Sequence, residues 1–382
     1  MNKNSKVYKV YLIYFISMAL FCCLRIASSF GAFNFLHPDI ADIVYTVVIQ
    51  VGLMLVLPMS LYTLFFKSKE GFISTFRDTH LSHGVNWRVL ILSFGLGILA
   101  FFINIAVSTL FSGIIAFFGY SQPISGVTDS SYTPMFPSWA NFLIQLVTVA
   151  VLPTFCEEFL HRGILFRGIR QIGYKKAILI SSLLFGLIHF NINQFFYAFV
   201  LGMLMALVCI VSKSIYPAMI IHFTNNAISV YLSHAEANGW FGKNFYNYLN
   251  QFLQSSNPIL TFIACFSFLS IVVILIIVII AKIFKLQTLN KVQRVIDSMY
   301  TDDEKATTNS PIVVEKSKML QEMLENNTTL NLNYEEMKSP IDIVIPKQKN
   351  IFKAKLEDNL FLISAMCLGG LITFFTFIWG LF

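Results

Sequence analysis

The stretch Cys156-Glu157-Glu158-Phe159-Leu160-His161-Arg162 places two carboxylates, an imidazole and a guanidinium in under two helical turns of an otherwise apolar run. Ionisable groups are costly in hydrocarbon, so those inside a membrane span face a protein interior or a wet cavity and are functional candidates. Two further polar sets lie downstream: His189 in Phe185-Gly186-Leu187-Ile188-His189, and His222 with Asn226 in His222-Phe223-Thr224-Asn225-Asn226. A carboxylate and an imidazole together can deprotonate a water, and a carboxylate withdrawn from bulk solvent is the better proton acceptor. A second histidine and an amide can donate hydrogen bonds to a developing oxyanion. Glu157, His189, His222 and Asn226 therefore suit peptide-bond hydrolysis without a covalent intermediate. The same residue types admit another chemistry, in which Glu157, His189 and His222 hold Zn²⁺ and leave one position for water. Residue types alone do not separate the two.

Spacing says which groups meet. Glu158 and Arg162 are four apart with the acid first, the favourable order for a helical ion pair, so Arg162 neutralises Glu158 and leaves Glu157 free. His161 is four residues after Glu157 but next to Arg162, and reads as a packing neighbour. Glu157 lies sixteen residues before Gly173 and His189 sixteen after it, so a helical hairpin centred there brings both to one depth. His222 and Asn226 share one helix face, with His222 about 10 Å in from the start of its span. The three sets are expected to converge in the cytoplasmic half of the membrane, in a cavity open to the cytoplasm. Cys156 is a poor nucleophile candidate, because a thiolate needs a positive environment and two carboxylates adjoin it.

The elements that must hold these groups are membrane spans. Hydrophobic residues make up 56% of the 382-residue chain and charged ones 12%. Apolar runs of spanning length recur at 10–33, 41–66, 89–119, 139–170, 176–191, 194–212, 215–233, 257–284 and 359–381. The expected fold is an all-α polytopic membrane protein of about nine transmembrane helices with the site on spans four to seven. Lys and Arg gather in alternate loops (Lys3, Lys6, Lys9; Lys67, Lys69, Arg77, Arg88; Arg162 to Lys176; Lys213; Lys282 to Arg294). This places the N-terminus in the cytoplasm and the C-terminus outside. The same rule accounts for the net charge of +7 without a nucleic-acid partner. The partners implied are the lipid bilayer and a membrane-associated peptide or protein. Residues 1–138 read as supporting helices, 139–233 as the core, 234–284 as an outer loop and span, 285–358 as a polar cytoplasmic insert with a short amphipathic helix near 314–326, and 359–382 as a last span. The six cysteines lie in apolar spans with no CxxC pair and read as small buried hydrophobes. The first span is too long for a signal peptide.

Glu157-Glu158-x-x-x-Arg162, Phe185-x-x-x-His189 and His222-x-x-x-Asn226, in that order on successive membrane segments, resemble the CPBP family of intramembrane proteases. That family includes type II CAAX prenyl endopeptidases and bacterial bacteriocin-processing and immunity proteins. The resemblance covers about residues 139–233. It implies that Glu157 is the catalytic base, that His189 helps to activate the water, that His222 and Asn226 form the oxyanion site, and that Glu158 and Arg162 support them. Members have been described both as metalloproteases and as metal-independent glutamate proteases, so the resemblance leaves a zinc cofactor open. Richness in Ile, Asn, Lys and Phe suggests an AT-rich bacterial genome, hence a bacterial cell membrane and no presumption of a prenylated substrate. The competing readings are a non-proteolytic bacteriocin immunity protein and a proton-coupled transporter. The sequence lacks the inverted repeats expected of the latter.

Overall fold

The computed structural model describes residues 3–66, 85–119, 135–253, 258–299 and 359–379, and among these there are helices and no strand. The helices are α1 (Lys3–Ser29), α2 (Pro38–Phe66), α3 (Trp87–Phe117), α4 (Ser138–Ile172), α5 (Tyr174–Leu187), α6 (Ile192–Ser212), α7 (Tyr216–Asn238), α8 (Phe245–Leu253), α9 (Pro258–Met299) and α10 (Leu360–Trp379). Seven of them are long and apolar enough to cross a membrane: α1, α2, α3, α4, α6, α9 and α10. The other two expected spans, 176–191 and 215–233, fall short for physical reasons. α5 has 14 residues, about 21 Å of helix against a hydrocarbon core of about 30 Å. α7 has 23 residues but carries His222, Thr224, Asn225, Asn226 and Ser229. Both departures fall on the segments that deliver site residues.

The chain divides into two compact units, Met1–Ile280 with Gln348–Phe382, and Ala281–Lys347. All that follows concerns the first. The amphipathic helix expected at 314–326 lies outside the described residues.

Contacts define two ends of the first unit. At one, Lys9 Nζ donates to Phe65 O at 2.7 Å and Lys6 and Lys9 lie over the Phe66 ring. There Val10 also packs on Gly168, where a Cβ would approach to 2.5 Å. The start of α1 and the ends of α2 and α4 thus meet. At the other, Met135 N donates to Asp39 Oδ2 at 2.7 Å, Arg25 Nη1 to His189 O at 2.9 Å, and Ile192 N to Thr376 Oγ1 at 3.1 Å. There the end of α1, the start of α2, the approach to α4, the α5–α6 turn and the end of α10 come together.

Helices in lipid gain no hydrophobic drive toward one another, so small residues that let backbones approach carry much of the packing. A Cβ on Gly186 of α5 would stand 2.9 Å from the Phe195 carbonyl oxygen of α6, and one on Gly202 of α6 would stand 3.0 Å from Ser182 Cα. The α4–α5 hairpin turns at Gly173, whose φ of +110° is open to glycine and costly for other residues. The turn falls where the spacing argument centred it.

Candidate active site

α4 is not a uniform helix. Leu146–Val151 and Phe159–Phe166 are π-helical, and the α-helical piece between them, Leu152–Glu158, ends on the two glutamates. π turns inside α-helices recur at functional sites, where they re-aim side chains and free backbone groups. Pro153 adds to this, since it has no N–H to return to the carbonyl four residues back. That carbonyl, Val149 O, instead accepts from Asn226 Nδ2 at 2.9 Å. The oxygen of the Asn226 amide accepts from Asn225 Nδ2, also at 2.9 Å.

The adjacent glutamates have different surroundings. Glu157 is 7% exposed; its Oε1 accepts from Gln50 Nε2 at 2.8 Å and its Oε2 has no partner. Glu158 is fully buried, and its Oε1 accepts from both Arg162 Nη1 at 2.7 Å and His222 Nδ1 at 2.9 Å. The expected pair with Arg162 is present, and the same oxygen also holds His222. Arg162 donates its Nη2 to Gly202 O at 3.3 Å and lays its guanidinium 4.4 Å from the Phe185 ring centre. The ring of Phe185 also makes edge contacts with His161 (4.9 Å), His189 (5.5 Å) and His222 (5.8 Å). One phenyl group therefore packs against all three histidines and the arginine, which gives the first position of Phe185-x-x-x-His189 a structural reason.

His161 is a packing residue, as its position beside Arg162 suggests. Its Nδ1 lies 2.8 Å from Glu157 O and its Nε2 3.1 Å from the Tyr14 hydroxyl, so both nitrogens are engaged inside the protein. His189 stands just past the end of α5 rather than within it, in the turn to α6. The next residue, Phe190, is buried with φ of 50°, a left-handed conformation that is strained for an aromatic side chain. Arg25 holds this turn by its bond to His189 O.

Glu157, His189, His222 and Asn226 line one cavity of about 400 Å³, together with Gln50, Arg25, Tyr197 and Asn225. The set named from the sequence is therefore brought together. Glu157 lies fifteen residues from Ile172 and His189 fifteen from Tyr174, about 22 Å of helix in each case. His222 lies six residues from Tyr216, nearer the start of its helix, and lines the same cavity.

The zinc alternative is not supported by the geometry. Glu157, His189 and His222 share the cavity, yet among the described residues no group of three or more His, Cys, Asp or Glu side chains is arranged to hold a metal. No step below passes through a metal. Cys156 is buried in the hydrophobic core and does not line the cavity.

A comparison with protein-family models matches residues 139–228 to the type II CAAX prenyl endopeptidase Rce1-like family. Over those residues, about a quarter of the chain, this protein is similar to the CAAX protease family. No curated protein and no solved structure matches it. The matched segment runs from the start of α4 into α7 and contains every residue of the three motifs. Two cavity residues that motif reading missed lie before that segment. Arg25 and Gln50 are polar side chains inside apolar runs, a visible signal. Their partners, Glu157 and the His189 carbonyl, lie more than a hundred residues away in sequence, where no spacing rule connects them.

Proposed function

We propose that this chain is an intramembrane endopeptidase in which Glu157 is the general base. The observation that carries the reading is the convergence of Glu157, His189, His222 and Asn226 on one polar cavity, with Glu157 Oε2 buried and unpartnered. A buried polar atom without a partner in a cavity is a place where a substrate or water completes the hydrogen bonding. Oε2 takes a proton from a water that His189 helps to orient. The resulting hydroxide adds to the scissile carbonyl carbon, and its π electrons move to oxygen. Asn226 and His222 face that oxyanion. The proton held on Glu157 passes to the amide nitrogen as the C–N bond breaks, giving a carboxylic acid and an amine, between which the remaining proton then transfers. His222 donates Nδ1–H to Glu158, so Nε2 is the atom left for the substrate, and it donates only while the ring is protonated. The Glu158–Arg162 pair fixes that ring from behind.

The substrate is a membrane-associated peptide or protein. The test is cleavage of synthetic membrane-anchored peptides by the purified, reconstituted protein, read by mass spectrometry. Glu157→Ala and His189→Ala are each expected to lower the rate by about 10²–10⁴-fold with unchanged circular dichroism. Full activity in both variants would sink the reading.

A further inference from the structure

The cavity has a closed end and an open one. Toward the end where α1 starts and α2 and α4 finish, the residues of α4 that follow Glu157, namely Glu158, Leu160, Arg162, Ile164, Leu165 and Ile169, are all buried. Toward the other end burial falls away. Glu157, Gln50 and His222 are buried, His189, Asn226 and Ser229 are half-buried, and Gln194 is exposed, all of them cavity-lining. The lining residues also crowd the same helix ends. Arg25 is four residues from the end of α1, Tyr45 seven from the start of α2, and Gln194 two from the start of α6. The mouth therefore lies where the end of α1, the start of α2 and the α5–α6 turn meet.

Charge distinguishes the two ends. The closed end carries Lys6, Lys9, Arg88, Arg167, Arg170, Lys175, Lys176 and Lys213. The mouth end carries Arg25 and Lys243, beside the acids Asp39, Asp42 and Glu236. Basic residues flanking spans are retained on the cytoplasmic side. We propose that the active-site cavity opens on the outer face of the membrane, opposite the cytoplasm, and takes peptide that has already crossed or is presented from outside. This reverses the cytoplasmic opening expected from spacing. The reason is the position of Glu157 and His189, about 22 Å along their helices from the basic ends, together with the burial gradient of the lining. The consequence for substrate class rests on the protease reading, whereas the side on which the cavity opens does not.

The experiment reads the side without reading cleavage. Gln194→Cys and Lys176→Cys are both exposed positions. Each variant is treated with a membrane-impermeant maleimide on intact cells and then on inverted membrane vesicles, with the parent chain as background. Gln194→Cys is expected to react on intact cells and to lose that signal when an impermeant thiol blocker is added first. Lys176→Cys is expected to react only in inverted vesicles. Reaction of Gln194→Cys only from the vesicle side, or from neither side, overturns the proposal. Loss of peptide cleavage would bear on the protease reading and leave the labelling result untouched.

Discussion

Glu157 and Glu158 are chemically identical and one residue apart, and their partners divide them. Arg162 and His222 both occupy one oxygen of Glu158, so that carboxylate is tied into the protein. The second oxygen of each is without a partner, but Glu157 has only a neutral amide on its first, and it alone of the two lines the cavity. Gln50 is thus the group that aims Glu157, and a hydrogen bond to a charged acceptor contributes about 1.5–3 kcal/mol. Gln50→Leu keeps the volume and removes the donor. Cleavage is expected to fall by about 10- to 100-fold while the melting temperature in detergent changes little. A wild-type rate in Gln50→Leu would remove Gln50 from the site. The motif residues were legible in the sequence because charge in an apolar run is conspicuous and four-residue spacing reports a shared helix face. Gln50 was equally conspicuous as a polar residue. Its role was not legible, because a bond across 107 residues leaves no periodic trace.

The helices reach the site by departing from regularity. α4 switches register twice around the glutamates, α5 stops two residues short of His189, and α6 starts just after Asn191, whose side chain caps it by accepting from Asn193 N at 2.8 Å. Hydrophobic patterning marks apolar runs and is blind to π register and to where a helix gives way to a turn. That is why spans 176–191 and 215–233 read as full crossings when one is short and the other is polar. The α5–α6 turn is held by close approach at Gly186, in the motif between Phe185 and His189. Gly186→Ala would push a methyl to 2.9 Å from the Phe195 carbonyl oxygen, and overpacking of this kind costs about 1–3 kcal/mol. The variant is expected to melt at a lower temperature and to lose cleavage as the turn moves. Gly95→Ala on α3 has nothing within 4 Å of the new methyl and is expected to match the parent in both measurements. Equal behaviour of the two variants would show that the turn has room to adjust.

At the scale of the whole unit, the family match stops at residue 228, yet the turn that carries His189 is braced from outside it. α10 runs alongside α1, with Phe361 against Tyr8 and Phe15 (ring centres 5.1 and 5.7 Å). Its Gly369 sits where a Cβ would come 2.8 Å from Leu187 Cβ, at the last residue of α5. Its Thr376 hydroxyl accepts from Ile192 N, at the first residue of α6. α10 therefore touches both sides of the turn that carries His189, while α1 holds the same turn through Arg25. A helix that only filled space at the periphery would not converge on one turn in this way. Removal of residues 359–382 is accordingly expected to lower the melting temperature and abolish cleavage, although none of the four cavity side chains is lost. Gly369→Leu, which keeps the helix and adds bulk against Leu187, is expected to reproduce the loss of cleavage in part. A truncated chain that melts and cleaves as the parent does would mean that the turn is held by α1 and the α5–α6 contacts alone.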